Sequence, residues 1–351
     1  MRWNNSSITV VVLTLAAAAQ VSAQSAPAAS TIHKQKYAMG TVFEVVAYDT
    51  QDRRATAAIE DAFQEIERLD DVLSNYKPES ELSRLNRNGH FHAQTVSRDL
   101  YRVIEQSLEY SHLSEGEFDI SVGPLVDLWK AQDRNGDPNG AEEEKARACV
   151  GFENIELIAP DRVVFHSPCL RIDVGAIGKG YAVDRAAEIL RSEGISSVLI
   201  NAGGSTVYAV GAPPGQEGWR VELRDPSGKL RPEVVLKDNS VSTSEQSAPS
   251  LLSKDVRGHI ISPQSGKPLN RRGAVSVVAR TATDSDALST TMFLVGPARG
   301  KTLIAAIPET AAVWILPEGQ VEGVENGARI FTSLRADEAK HSSYSEKSGI
   351  Q

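Results

Sequence analysis

The chain has 351 residues, of which 41% are apolar and 24% are charged, a composition that excludes a disordered, collagen-like or coiled-coil protein. Its 37 lysine and arginine residues against 46 aspartate and glutamate residues give a net charge of -9, which argues against a nucleic-acid binder. The two cysteines, Cys149 and Cys169, are too few for a disulfide framework or a four-thiolate zinc site; they could pair with each other, or both could be core residues. The 7 histidines contain no HxxxH pattern, so we do not expect a zinc hydrolase.

The first residues have the pattern of a secretory signal peptide. Arg2 is followed by an apolar run over 8–19, which is shorter than the roughly 20 residues that span a bilayer. Val21-Ser22-Ala23 has the small-x-small pattern that signal peptidase cleaves, although a buried N-terminal helix is the alternative. No later apolar run is long enough to cross a membrane, so we expect an exported, periplasmic protein with no transmembrane segment after signal removal. The predicted division is a signal peptide over 1–23 cleaved near Ala23, a linker over 24–34, a domain over 35–334 and a polar tail over 335–351.

Hydrophobic periodicity predicts a mixture of helices and strands. In the first half we expect a strand over 37–48, helices over 51–73, 97–114 and 142–150, a polar loop over 133–140, and strands over 155–158, 162–166 and 170–174. In the second half we expect helices from the turn at 175–180 to 192 and over 284–295, with strands over 198–200, 207–210, 219–223, 234–236, 274–279 and 313–316. Because strict βαβ alternation is missing, this order favours an α+β fold over a doubly wound sheet.

The glycine-punctuated turn over 175–180 is a candidate anion site. Asp173 ends the strand before it, and the helix N-terminus after it can hold an anion with its backbone amides, while Lys179 adds positive charge. The segment matches neither GxGxxG nor a Walker A motif, and an ordinary glycine-rich connection between a strand and a helix is the commoner explanation.

The segment 284–290 is a candidate metal site. Asp286 and Thr290 are four residues apart and therefore share one face of a helix. A carboxylate and a hydroxyl suit a hard cation such as Mg2+, which takes oxygen ligands and keeps waters or phosphates. The alternative is an ordinary helix start, with Thr283 or Asp284 as its cap.

Two further segments carry polar side chains that could take part in chemistry. His259 precedes a Ser-Pro turn, and histidine is the usual general acid or base, although a single histidine is more often structural. The hydroxyls of Ser242-Thr243-Ser244 follow a strand and suit phosphate or ribose contacts, but they equally suit a solvated loop. Neither segment alone identifies a function.

Taken in chain order, the motifs are far more specific than any one of them. The longest are GEFDISVGPLVDLW at 116–129, RIDVGAIGKGYAVDRA at 171–186 and AVSVVARTATDSDALSTT at 274–291. The chain resembles the ApbE-type family, the FAD:protein FMN transferases, over about 37–296. The resemblance implies that 35–334 forms an ApbE-like flavin transferase domain, an α+β fold of mixed or antiparallel sheets with packed helices.

The resemblance also implies an activity and a set of site residues. Family members bind FAD and Mg2+, split the pyrophosphate, release AMP and attach FMN through a phosphoester to a threonine or serine of an acceptor protein. By position, the resemblance implies His259 as the catalytic base, and it implies metal ligands at the backbone carbonyl of Ala176, Asp286, Ser289 and Thr290. It implies FAD contacts from Met39, Tyr76, Glu117, Phe118, Asp119, Asp173, Lys179 and Ile260.

The chain departs from the family pattern at several positions. Ser262 and Ser265 stand where the family usually has Asp and Thr, Gly178 stands where it has Ala, and Glu245 follows the Ser-Thr-Ser segment where it has Gly. We expect FAD and metal binding to be retained more readily than the family's transfer rate or acceptor choice. The departures leave two alternatives: a metal-dependent FAD pyrophosphatase giving FMN and AMP, and a non-catalytic periplasmic FAD-binding accessory protein.

Overall fold

The computed structural model describes residues 29–135, 138–223, 230–246, 260–317 and 319–334. The predicted signal peptide with its cleavage site, His259 and the polar tail lie outside the described residues. The described helices are α1 (Asp52–Leu73), α2 (Glu81–Asn88), α3 (Arg98–Ser114), α4 (Gly123–Asn135), α5 (Gly140–Arg147), α6 (Gly178–Ser192) and α7 (Ala282–Ala305). The described strands are β1 (Ser30–Ala38), β2 (Thr41–Asp49), β3 (Gln94–Thr95), β4 (Ile155–Ile158), β5 (Arg162–Phe165), β6 (Val198–Ala202), β7 (Thr206–Val210), β8 (Trp219–Glu222), β9 (Leu230–Leu236), β10 (Ser240–Gln246), β11 (Gly273–Ala279), β12 (Thr310–Ile315), β13 (Val321–Asn326) and β14 (Phe331–Leu334).

An eight-stranded sheet in the order β1-β2-β6-β7-β10-β11-β12-β13 forms the centre of the fold. Its neighbouring strands all pair antiparallel. Two three-stranded sheets, β14-β9-β8 and β3-β5-β4, accompany it and are antiparallel as well. The predicted α+β class with antiparallel sheets and packed helices is confirmed.

The central sheet is covered on both faces because its strands alternate buried side chains between two cores. On one face α1 and α6 pack against β1, β2 and β6, and α7 packs against β11 and β12. On the other face the β8 and β9 strands bury Trp219, Val234 and Leu236 against β7 and β10. Among the described residues no helix is long and apolar enough to span a membrane.

A second core lies at the end of α1, away from the sheet edge. There α2 and α3 pack with the β3-β5-β4 sheet around Leu82, Leu100, Ile104 and Phe165. Ser97 caps α3, as predicted, by accepting a hydrogen bond from the Leu100 amide at 3.3 Å. This core and the helix layer meet at the segment 117–123 and at the start of α6, which together border a large cleft.

The predicted single strand over 37–48 is wrong, because the structure forms a β-hairpin there. Met39 and Gly40 have φ values of 50° and 75°, the left-handed conformation that a two-residue hairpin turn requires. The first strand starts at Ser30, so 30–34 belongs to β1 and not to the predicted linker over 24–34. Strand β1 buries only part of one side, since Ile32 and Ala38 are in the core and the residues 33–35 between them are exposed.

Three other expectations need correction. Helix α4 extends through the predicted motif and into 133–135, where a polar loop was expected, because Leu125 anchors it in the core. The predicted strand at 170–174 makes one isolated bridge, between Arg171 and Val122, and otherwise contacts the segment 117–123 irregularly. Ser242-Thr243-Ser244, predicted to follow a strand, lies within strand β10 of the central sheet.

The predicted helix over 284–295 is the first part of a longer, broken helix. Gly296 has φ 76° and ψ 175°, a conformation open to glycine, and Pro297 restarts the helix after it. The Arg271 guanidinium donates to the Phe293 carbonyl at 2.6 Å, which satisfies one carbonyl at the end of the first part. The cap of α7 is Thr281, which accepts from the Asp284 amide at 3.0 Å, so neither Thr283 nor Asp284 is the cap.

Candidate active site

A cleft of about 940 Å³ opens between the end of α1, the segment 117–123, the turn before α6, strand β10 and the start of α7. It is large enough for a dinucleotide-sized ligand. The predicted site residues that line it are Met39, Tyr76, Glu117, Phe118, Asp119, Asp173, Ala176, Lys179, Ile260, Asp286 and Thr290. Ser289 is buried next to Thr290, and His259 lies outside the described residues. The structure thus brings the predicted residues together, while their individual roles remain predictions.

Helices α6 and α7 cap each other at their N-termini. From α7, Asp286 Oδ2 accepts a hydrogen bond from the Gly180 amide in the first turn of α6 at 2.9 Å. From α6, Asp184 accepts from the amides of Ala282 and Thr283 at 2.7 and 2.8 Å and from the Thr283 hydroxyl at 2.5 Å. Burial raises the pKa of Asp184 to about 6, despite these three hydrogen bonds. The reciprocal caps fix the position of the Asp286 carboxylate in the cleft.

Glycine is required at 180 because the two helix ends cross in contact. A Cβ at this position would collide with the Ala282 carbonyl oxygen and would lie 2.8 Å from Asp286 Cβ. The sequence prediction named Asp286 but not Asp184. The sequence signal for Asp184 is its place in the 171–186 motif, where it is one of several polar positions in the helix.

Hydroxyl groups connect β10 to α7 behind the metal candidates. Ser244 Oγ lies 2.9 Å from Ser289 Oγ and 3.1 Å from Thr290 Oγ1, while Ser289 Oγ donates to the Asp286 carbonyl at 2.9 Å. One helical turn earlier, Ser285 Oγ lies 2.8 Å from Ser240 Oγ and 3.1 Å from Ser242 Oγ. Two strand residues advance roughly 6.6 Å and four helical residues roughly 6 Å, so the two rows of hydroxyls stay in register.

The donor atoms near Asp286 fit Mg2+. Asp286 is 5% exposed, one of its oxygens is held by the Gly180 amide, and the hydroxyl of Thr290 and the residue Ala176 share its cleft. Within 29–135, 138–223, 230–246, 260–317 and 319–334 no group of three His, Cys, Asp or Glu side chains is placed to hold a metal. A set with one carboxylate and several neutral oxygens suits Mg2+, which completes its coordination with waters and substrate phosphates.

The turn before α6 presents a positively polarised helix end to the cleft. Ile177 at the N-cap offers no side-chain acceptor; the Gly178 amide donates to the Val174 carbonyl at 2.8 Å and the Gly180 amide donates to Asp286, so the pull on an anion comes from the helix dipole and from Lys179. Asp173 Oδ1 accepts from the Gly175 amide at 2.8 Å and holds the turn closed. Lys179 Nζ donates to the Gly175 carbonyl at 3.2 Å, which keeps its ammonium at the cleft wall. This arrangement is suited to a phosphate group.

The opposite wall carries an aromatic ring and a buried carboxylate. Tyr76 is 78% exposed, and its hydroxyl accepts from Lys130 Nζ at 2.7 Å. Asp119 is 8% exposed and accepts from the amides of Ser121 and Phe152 at 2.7 and 3.1 Å. Burial raises the pKa of Asp119 from its usual range. The exposed ring of Tyr76 and the buried carboxylate of Asp119 suit a ligand that carries a polar aromatic group.

The turn that departs from the family pattern is nevertheless well formed. Ser262 Oγ accepts from the Ser265 amide at 3.2 Å, the hydrogen bond that an aspartate would make at the start of such a turn. The Gly266 amide donates to the Ser262 carbonyl at 2.8 Å, and Trp129 Nε1 donates to the Gly266 carbonyl at 2.8 Å. Serine therefore preserves the backbone of this turn, although it lacks the charge of a carboxylate.

Other cleft residues were missed by the sequence prediction. Asp70, Lys77 and Lys130 line the cleft, and no motif in the sequence marks them. Lys77 Nζ pairs with Asp70 and Asp71 at 2.7 Å each, so its charge is largely neutralised. Asp70 lies near the end of α1, Lys77 lies in the connection between α1 and α2, and Lys130 lies within α4, so only the fold places them together at the cleft.

Comparison with known proteins gives a consistent result. The model of the ApbE family matches residues 39–314. The FAD:protein FMN transferase of Treponema pallidum is 29% identical over 317 residues, which cover 84% of this chain and 87% of that protein. The FAD:protein FMN transferase of Vibrio cholerae is 30% identical over 249 residues, covering 69% and 74%. Among solved structures, the flavin transferase ApbE from Vibrio cholerae superposes with a TM-score of 0.75 at 24% identity, covering 85% of this chain and 98% of that one. The ApbE protein from Thermotoga maritima gives 0.74 at 25% identity, covering 84% and 97%.

Proposed function

The chain belongs to the ApbE family, and from this premise we propose that it transfers FMN from FAD to a threonine or serine hydroxyl of a partner protein, releases AMP and uses Mg2+. The observation that carries the proposal is the single cleft that collects the residues matched to the family's motifs. Phosphoryl transfer needs positioning and charge stabilisation more than covalent chemistry from the protein. The cleft supplies both.

FAD binding follows from three parts of the cleft. Lys179 and the N-terminal end of α6 would hold the pyrophosphate, because an ammonium group and the positive end of a helix dipole favour anions. Tyr76 offers an exposed ring against which an aromatic ring system can stack. Asp119 offers a buried acceptor for an N–H group. Together they would orient the pyrophosphate towards the start of α7.

The residues that would hold Mg2+ are Asp286, Thr290 and the Ala176 carbonyl, while the buried Ser289 hydroxyl donates to the Asp286 carbonyl behind them. When Mg2+ is bound there, the chemistry it supplies is neutralisation of charge on the pyrophosphate oxygens. The reciprocal caps between α6 and α7 keep the Asp286 carboxylate next to the anion-binding helix end. This proximity is the geometric requirement for one cation to contact both the protein and the pyrophosphate.

The reaction would exchange the phosphoanhydride bond of FAD for a phosphate ester on the acceptor. The acceptor hydroxyl oxygen forms a bond to the FMN phosphorus, the bond from that phosphorus to the bridging oxygen breaks, and AMP leaves with that oxygen. The hydroxyl proton passes to a base, for which His259 is the predicted group. Because Asp286 is buried in the cleft, we expect the acceptor to present its hydroxyl on an extended or protruding segment.

We also propose export to the periplasm. The predicted signal peptide over 1–23 motivates it, and the disulfide between Cys149 and Cys169 supports it, because such bonds persist in oxidising compartments. N-terminal sequencing of the protein recovered from a periplasmic extract should start near Gln24. An uncleaved chain confined to the cytoplasm would contradict the proposal.

The transfer is tested with purified protein, FAD, MgCl2 and a threonine-bearing acceptor domain, followed by denaturation and intact-mass measurement. We expect the FMN mass to remain on the acceptor. Free FMN with an unmodified acceptor would indicate pyrophosphatase activity, and bound FAD without AMP release would indicate a non-catalytic carrier.

The metal site is tested with a matched pair of substitutions in the first turns of α7. Asp286→Asn should abolish Mg2+-dependent AMP release. Asp284→Asn is the control, because the Asp284 carboxylate accepts from Tyr110 at 2.6 Å and lines a different pocket, away from the cleft. Equal activity in the two variants would refute the assignment of Asp286 to the metal.

A further inference from the structure

The segment 117–123 forms one wall of the cleft and is held from two sides. On one side, the Gly151 amide donates to Ser121 Oγ at 2.7 Å and the Phe152 amide donates to Asp119 Oδ2 at 3.1 Å. On the other side, the Asp173 amide donates to the Ile120 carbonyl at 2.7 Å, and the Gly123 amide donates to the Arg171 carbonyl at 3.1 Å. We call the two supporting segments the first flank (149–152) and the second flank (169–173).

The two flanks are joined by the disulfide between Cys149 and Cys169, with a Cα–Cα distance of 5.2 Å. Cys149 precedes the donors of the first flank by two and three residues, and Cys169 precedes Arg171 by two. The disulfide therefore closes a ring in which 117–123 is clamped between the flanks. Without it, the flanks would be joined by the pairing of β4 with β5, including the hydrogen bond from the His166 amide to the Asn154 carbonyl at 2.8 Å, and by the hydrogen bonds to the segment itself.

The clamp acts on groups that face the cleft. Asp119 is 8% exposed, and both of its carboxylate oxygens accept amide hydrogen bonds, one of them from the first flank. Asp173, at the end of the second flank, holds the turn that leads to Lys179. A shift of either flank would thus move an acceptor on one wall or the anion-binding turn on the other.

We propose that the Cys149–Cys169 disulfide is a positioning element of the FAD cleft, which keeps Asp119 preorganised for the ligand and makes FAD affinity sensitive to thiol reductants. The proposal rests on the proposed function, since it takes FAD as the ligand. Reduction by a dithiol transfers two electrons and two protons to the Cys149–Cys169 bond, which yields two protein thiols and the cyclic disulfide of the reductant. Reduction breaks only this covalent link, and the β4–β5 pairing still joins the flanks, so we expect the fold to stay intact while the clamp loosens.

The effect on binding is a loss of preorganisation. A loosened wall must be ordered again when the ligand binds, and this cost reduces affinity without removing a contact. We expect the FAD dissociation constant to rise about fivefold to tenfold on reduction or in the Cys149→Ser/Cys169→Ser variant. The disulfide lies outside the metal candidates, so the concentration of Mg2+ needed at saturating FAD should stay unchanged.

The test is a double-mutant cycle on FAD binding, read from the fluorescence of FAD titrated with the mature protein. The dissociation constant is measured for the wild type, Cys149→Ser/Cys169→Ser, Asp119→Asn and the combination of all three substitutions. If the disulfide acts through Asp119, its removal weakens binding in the wild type and has little further effect in the Asp119→Asn background. If the serine variant does not fold, dithiothreitol treatment of the wild type replaces it in both backgrounds.

The outcomes separate this inference from the function on which it rests. A wild type that does not bind FAD refutes the proposed function. A wild type that binds FAD, with unchanged affinity after loss of the disulfide, refutes the clamp and leaves the function intact. An equal loss of affinity in both backgrounds shows a general structural role and also refutes the positioning of Asp119.

Discussion

The substitution Asp184→Ala tests the reciprocal capping of α6 and α7. Asp184 accepts hydrogen bonds from two amides and one hydroxyl of α7, and it is not one of the residues that line the cleft. Alanine removes the acceptor and leaves these three donors near the start of α7 without it. The start of α7, including the Asp286 carboxylate four residues after Ala282, should then be less firmly placed.

The expected loss of stability comes from the missing cap and from the hydrogen-bond donors that lose their acceptor. Removing an N-terminal cap costs about 1 kcal/mol, and each buried donor without a partner costs about 1–3 kcal/mol. Burial raises the pKa of Asp184 to about 6, so its ionised form is itself costly in the fold and offsets part of the loss. We expect a net loss of about 2–3 kcal/mol in the free energy of unfolding, or a Tm lower by about 5 °C for a domain of this size.

The assay combines thermal unfolding with the Mg2+ dependence of AMP release. Asp184→Ala should raise the Mg2+ concentration required for half-maximal activity as well as lower the Tm. Asp49→Ala is the matched control, because Asp49 is 7% exposed, accepts from the Gln51 amide at 2.7 Å at the start of α1 and lies outside the cleft lining. The reasoning is refuted if the two variants lose stability alike and require the same Mg2+ concentration.

Four other outcomes are expected. Asp184→Asn tests the raised pKa of Asp184, because ionisation of this buried carboxyl group destabilises the fold as pH rises from about 4 through about 6. The Tm of the wild type relative to this variant should therefore fall over that range, and a constant Tm difference would contradict the raised pKa. Gly180→Ala should fold poorly or lose Mg2+-dependent activity, because its Cβ meets the Ala282 carbonyl; a stable, fully active protein would show that the helix crossing tolerates a side chain. The hydrogen-bonded Arg68 guanidinium lowers the pKa of Glu65, so the Tm advantage of the wild type over Glu65→Gln should be present above pH 4.5 and shrink as pH falls further; an advantage that grows in acid would oppose this. Thr290→Val should raise the Mg2+ concentration required for half-maximal AMP release about tenfold. Ser240→Ala, one turn away in the hydroxyl rows, should leave that concentration unchanged in the same Mg2+ titration.

The fold class and most elements could be predicted because amphipathic periodicity is a local property. The stripe of Ile59, Phe63, Ile66 and Leu69 in α1 is buried as predicted, and the cap of α3 at Ser97 is present. Hairpin turns are harder to predict, because Met39 adopts a positive φ that most side chains avoid. The break in α7 is likewise set by two residues, which the apolar pattern around them conceals.

The candidate site was predictable where long motifs mark it and not where the fold alone assembles it. Asp286 and Thr290 share a helix face by spacing alone, and the structure places both in the cleft. Lys130, one residue after the 116–129 motif, and Asp70, in α1, reach the same cleft although the sequence does not single them out. Asp184 and the disulfide act through other groups, so their contribution requires coordinates.

The most direct test of the proposed transfer is the ratio of AMP released to acceptor modified in a single incubation. Purified protein, FAD and MgCl2 are mixed with the threonine-bearing acceptor domain, AMP is quantified, and the modified acceptor is counted by intact mass after denaturation. The account predicts one AMP for each acceptor that gains FMN, with both products lost in Asp286→Asn. AMP formed without any modified acceptor, or modification that continues in Asp286→Asn, would contradict it.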